Sequence, residues 1–119
     1  MPIPSIIRDR VRREIERELE DWVGRIVAEM RPDKVILFGS AARGEAGEAS
    51  DIDLVVIAEA EGDFFSRIGR AMDLYRGSRE INALVYTPGE WQGMLAKKRP
   101  FAMTVLEGGR VLFERDRQA

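Results

Sequence analysis

The sequence predicts an α/β (α+β) fold, a mixed sheet of about four strands with helices packed on it. Three observations predict it. A long amphipathic pattern opens the chain, short apolar runs of strand length follow, and turn residues separate these runs from further helical segments. At 119 residues the chain is read as one domain, with 1–31 an N-terminal helix, 32–114 the core and 115–119 a polar tail.

Pro4 and Ser5 open the first helix, and Ile7, Val11, Ile15, Leu19, Trp22, Val23, Ile26, Val27 and Met30 recur at spacings of three and four. Pro32 ends it. The alternating charges from Arg12 to Glu20 read as a solvated, salt-bridged face, or as a partner-binding one. Lys34 to Phe38 is the first strand. Residues 41–50 are too rich in Ala, Gly and Glu for a strand, with a short helical turn around Ser40 to Arg43. Ile52 to Ala58, apolar on both faces, is a central strand.

Asp63 caps a helix whose inward stripe is Phe64, Ile68, Met72 and Tyr75, with Gly77 as its C′ residue. Glu80 to Tyr86 is the third strand. Thr87, Pro88 and Glu90 form a capping box with proline at the first helical position, and that short helix carries Trp91, Met94 and Leu95. Pro100 opens a last helix, Phe101 to Glu107, closed by Gly108 and Gly109. Arg110 to Glu114 is the final strand.

Composition narrows the chemistry. The chain has no cysteine and no histidine, which removes disulfides, zinc–thiolate sites, thiol nucleophiles and the commonest general base. Catalysis has to use carboxylates, hydroxyls, Lys, Arg and a bound ion. With 19 basic against 21 acidic residues the net charge is −2, so bulk nucleic-acid binding is not expected. Lys97, Lys98 and Arg99 read as a solvated helix end. No window approaches a membrane span and no leader pattern opens the chain, so the expected location is cytoplasmic.

The informative stretch is residues 35–57. A buried strand runs into Gly39 and Ser40, and the chain re-enters a strand through Asp51 and Asp53. Residues two apart on a strand point the same way, about 6–7 Å apart, which suits two oxygen donors for a divalent metal such as Mg²⁺. Gly39 lets a phosphate approach the backbone. A P-loop fails because Glu45 stands where its lysine should be, and an EF-hand fails because Leu54 and Val55 follow the acids. What survives is a glycine-serine turn beside an acidic strand, a metal-dependent phosphoryl or nucleotidyl transfer site. An acid within an apolar strand, as Asp53 is, needs a cation or hydrogen bonds.

The run Phe38-Gly39-Ser40-Ala41-Ala42-Arg43-Gly44, leading to Ser50-Asp51-Ile52-Asp53-Leu54, resembles the signature of the minimal nucleotidyltransferases in the DNA polymerase β-like superfamily. The likeness continues through Val85-Tyr86-Thr87-Pro88 and the last strand. It implies a nucleotidyltransferase-like sheet and a nucleoside triphosphate, ATP or another, held with Mg²⁺ or Mn²⁺ between turn and acidic strand. Gly39 and Ser40 would contact terminal phosphates, Arg43 would add a phosphate contact, and Asp51 and Asp53 would ligate the metal. An acceptor oxygen would attack the α-phosphorus and pyrophosphate would leave. Members this small often act as antitoxins that modify a helical HEPN-domain toxin, which implies such a partner. A second copy of the chain is a further possible partner.

The family usually carries a third carboxylate where this chain has Asn82. An amide oxygen can ligate a metal but cannot serve as a carboxylate base. Glu80, two residues earlier, is a candidate substitute. The alternative reading is therefore a weakened or inactive transferase that neutralises its partner by contact, and a weaker one is a nucleotide sensor.

Overall fold

The structure, a computed structural model, describes residues 4–44 and 51–116. Among the described residues the elements follow the expected order: α1 (Ser5–Met30), β1 (Lys34–Phe38), β2 (Ile52–Ile57), α2 (Phe64–Asp73), β3 (Ile81–Tyr86), α3 (Pro88–Ala96), α4 (Pro100–Gly108) and β4 (Arg110–Glu114). The strands form one sheet in the order β3-β2-β1-β4. β1 is antiparallel to β2 and β4, and β2 is parallel to β3. The sheet is mixed and β2 is internal.

Strand alternation divides the core in two. One cluster sets Val11, Ile15, Leu19, Trp22 and Ile26 of α1 and Ala71 of α2 against Val35, Leu37, Ile52, Leu54, Val56, Ala83 and Val85. The other sets Trp91, Ala102 and Val105 of α3 and α4 against Ile36, Val55 and Ile57. Period-two alternation thus gives every β2 side chain from Leu54 onward a buried partner on one face or the other. Among the described residues no helix is long and apolar enough to cross a membrane.

α1 is the longest element, and its buried residues recur at four, four, three and four. It stops where Arg31 takes a left-handed conformation ahead of the buried Pro32. Ile7, expected in the buried stripe, is 39% exposed, because the packed stripe begins only at Val11. The acids of its charged face do more than meet solvent. Glu14 and Glu18 both pair with Arg79, at 3.5 and 3.2 Å, and Glu18 also accepts from the Tyr75 hydroxyl. This clamp ties α1 to the loop that enters β3.

α2 departs from expectation in two ways. Its buried residues are Arg67 and Ala71, while Phe64, Ile68, Met72 and Tyr75 are half-buried. Ala71 lies under Trp22, whose indole N–H donates to its carbonyl at 2.9 Å. Arg67 is drawn inward by a two-pronged pair with Glu90, at 2.7 and 3.1 Å. Glu90 is also the reciprocal member of the capping box with Thr87. The Arg67 guanidinium and the Thr87 backbone amide hold its carboxyl down to about 2. Second, α2 ends at Asp73 with Leu74 as its cap, so Gly77 is not the C′ residue. A Cβ at Gly77 would run into the Glu18 carboxylate and the Tyr75 hydroxyl. Its glycine serves the clamp rather than the helix end.

Candidate functional site

The site is built where β1 ends beside the start of β2. Phe38 pairs with Asp53 across the antiparallel ladder, and Asp53 pairs with Asn82 across the parallel one. Gly39, Asp53 and Asn82 therefore meet at one end of the sheet. Ile52, Leu54 and Val56 face α1, so alternation turns Asp53 to the opposite face. There α3 and α4 cover Ile36, Val55 and Ile57, leaving Asp53 half-buried and Asn82 exposed. Phe101 of α4 packs edge-on against Phe38 at 5.4 Å, forming an apolar wall below the acid that sequence reasoning did not single out.

Gly39 has φ +79°, a conformation open to glycine at little cost. A Cβ there would stand 2.8 Å from Asp53 Oδ2. Glycine thus serves both the turn and the close approach. The chain then curls through a single helical turn, with the amides of Ala42 and Arg43 donating to the Gly39 carbonyl at 3.1 and 3.3 Å. This is the turn expected at Ser40 to Arg43. Ser40 is half-buried and Arg43 is exposed at its far side.

Asn82 Nδ2 donates to Asp53 Oδ1 at 3.0 Å. The amide thus meets the Asp53 carboxylate as a donor. Asp51 sits one residue ahead of β2 and is half-buried. Glu80 is exposed, and its backbone carbonyl accepts from the Ile52 amide at 3.0 Å, which fixes β2 against the start of β3. Ser50 and the rest of the loop at 45–50 lie outside the described residues, as do 1–3 and 117–119.

The chemistry of the donor set is narrow. Asp51 and Asp53 offer carboxylate oxygens, which suit a hard divalent cation and not a thiophilic one. The missing Cβ at Gly39 leaves Asp53 Oδ2 accessible. Among the described residues no group of three or more His, Cys, Asp or Glu gathers to hold a metal.

Comparison with known proteins identifies the family. A protein of Methanocaldococcus jannaschii, provisionally named a protein adenylyltransferase, is 34% identical over 102 residues, spanning 82% of this chain and 97% of its own. A crystal structure of a provisionally assigned nucleotidyltransferase from Sulfolobus solfataricus shares the fold, with a TM-score of 0.67 at 21% identity, covering 92% of this chain and 89% of that one. The sequence model of the family described as polymerase beta, nucleotidyltransferase matches residues 23–118. The chain therefore belongs to the polymerase beta nucleotidyltransferase family and is a transferase.

Proposed function

We propose that the protein transfers AMP from ATP to a hydroxyl of a partner protein, at the turn and acidic strand just described. The observation that supports this reading is the close approach of the glycine turn to the acidic strand, where a Cβ on Gly39 would stand 2.8 Å from Asp53 Oδ2. The name of the M. jannaschii relative supports a protein as acceptor. A HEPN-domain toxin, the partner that family resemblance implies, is the acceptor we favour.

Asp51 and Asp53 would hold Mg²⁺ or Mn²⁺, and Gly39 and Ser40 would seat the terminal phosphates, with Arg43 adding a guanidinium contact. When bound, the cation supplies charge neutralisation at the attacking and leaving oxygens. The acceptor oxygen forms a bond to the α-phosphorus, the bond from that phosphorus to the bridging oxygen breaks, and pyrophosphate leaves. Asn82 is not basic, so it leaves the hydroxyl proton to solvent. Its role is to orient Asp53 through the 3.0 Å hydrogen bond.

The test incubates the protein with ATP, Mg²⁺ and a HEPN-domain protein encoded beside it, and reads adenylyl addition by mass spectrometry. Addition that disappears in Asp51→Ala and Asp53→Ala supports the reading. No addition under Mg²⁺ or Mn²⁺ overturns it. The same Asn82–Asp53 bond favours one second reading, a contact-only antitoxin. That protein would bind its partner equally well with Asp53→Ala and without ATP.

A further inference from the structure

The entry to β3 holds a charged group that the transfer chemistry above does not use. The Arg79 side chain is only 10% exposed, and it pairs with Glu14 at 3.5 Å and Glu18 at 3.2 Å, both on α1. Its backbone amide donates to the Tyr75 hydroxyl at 2.9 Å, and the Ser78 amide donates to Glu18 Oε1 at 3.3 Å. Residues 78 and 79 are thus tied to α1 by main chain as well as side chain. The next residue carries the tie across the sheet. The Glu80 carbonyl accepts from the Ile52 amide at 3.0 Å, and Ile52 stands between Asp51 and Asp53. The parallel ladder starts there, with Ile52 against Ile81 and then Asp53 against Asn82. Among the described residues β3 is an edge strand that pairs with β2 alone. Its register is held from one side only, so an anchor at its entry counts for more. Ile81 and Ala83 pack toward α1, while Asn82 bonds Asp53 on the opposite face.

We propose that Arg79 is a positioning residue for the transfer: clamped by Glu14 and Glu18, it fixes the start of β3 and, through the Glu80 carbonyl and the Ile52 amide, the placement of Asp51 and Asp53. This role presupposes the assignment of those two acids to the transfer site above. Gly39 and Ser40 follow β1 and lie outside this series of contacts. Loss of the clamp therefore moves the acids and leaves the glycine turn in place, so it lowers the rate and spares the affinity for ATP. A displacement of about 1 Å at a reacting group costs up to about a hundredfold in rate, and partial slack at one backbone bond corresponds to about tenfold.

Steady-state kinetics with Mg²⁺-ATP and the HEPN-domain protein, together with amide hydrogen exchange of the full chain read by nuclear magnetic resonance, test the proposal. Arg79→Gln should lower kcat about tenfold with KM for ATP within about twofold, and should speed exchange of the Ile52 amide about tenfold. Arg79→Lys keeps the charge without the planar fork and should recover part of both losses. Glu90→Gln is the control for stability alone, because it breaks the other arginine clamp, beyond the opposite end of β3. At matched folded fraction it should leave kcat and Ile52 exchange unchanged. An unchanged kcat in Arg79→Gln, a loss confined to KM, an unchanged Ile52 exchange rate, or equal losses in Glu90→Gln would each overturn the proposal. If the parent protein transfers nothing, faster Ile52 exchange in Arg79→Gln and not in Glu90→Gln upholds the anchoring of the acidic strand and counts against the catalytic reading alone.

Discussion

Gly39→Ala separates the two demands made on that residue, and Gly62→Ala isolates one of them. Both glycines have positive φ, +79° and +93°. Placing alanine in left-handed backbone costs about 1–2 kcal/mol at either position. At Gly62 the nearest atom to an added Cβ is 3.4 Å away, an ordinary contact. At Gly39 it is Asp53 Oδ2 at 2.8 Å, so the carboxylate has to move by roughly half an ångström to reach ordinary contact. Asp53 is half-buried and can swing, which keeps the added steric cost near 1 kcal/mol, the low end for overpacking. Swinging strains its bond to Asn82 and misplaces a reacting group, which costs about ten- to a hundredfold in rate. Urea unfolding followed by Trp22 and Trp91 fluorescence should give Gly39→Ala and Gly62→Ala similar losses, within about 1 kcal/mol. Transfer from ATP should fall sharply only in Gly39→Ala. Equal transfer in the two variants at matched folded fraction would refute the placement of Asp53 in the site.

Three further outcomes follow from the same geometry. Glu90 is held at about 2 against an ordinary 4.5, so its contribution is complete above about pH 4.5 and is lost as pH falls toward 2. Its side chain is 44% exposed, which discounts that contribution to about 1 kcal/mol. Glu90→Gln should cost about 2 kcal/mol at pH 7 by stranding the buried Arg67, and should flatten acid unfolding over that window. Asn82→Asp replaces a donor 3.0 Å from Asp53 with a second negative charge. It should lower the melting temperature in chelator and tighten Mn²⁺ binding about tenfold, read by calorimetry; unchanged Mn²⁺ affinity would remove Asn82 from the ion site. Gly77→Ala should destabilise by about 1–3 kcal/mol through the clamp at Glu18 and Tyr75, with Mg²⁺-ATP affinity preserved in the folded fraction.

The elements were legible because each carries its own periodicity and punctuation. The proline-opened helices, the Thr87–Glu90 box and the doubly apolar β2 depend on local residues alone. Gly39 and Asp53 were legible as a pair because a signature of fixed spacing links them. Tertiary pairing was not legible. Arg67 is buried by a glutamate 23 residues away, and no pattern within α2 announces that partner. Gly77 follows a helix and resembles a cap, yet its constraint comes from Glu18 on α1. β4 shifts register between Val35 and Ile36, a bulge that blunts an edge strand and that hydrophobic alternation does not reveal. Asn82 was flagged as a missing acid, whereas its hydrogen bond to Asp53 follows only from the parallel register.

The most direct test of the central claim uses ATP labelled either at the α-phosphorus or at the γ-phosphorus, with the acceptor protein and Mg²⁺. α-Label should enter the acceptor and γ-label should not, and Asp53→Ala should abolish the transfer while the protein stays folded. Entry of γ-label, or α-label transfer undiminished by Asp53→Ala, would contradict that claim.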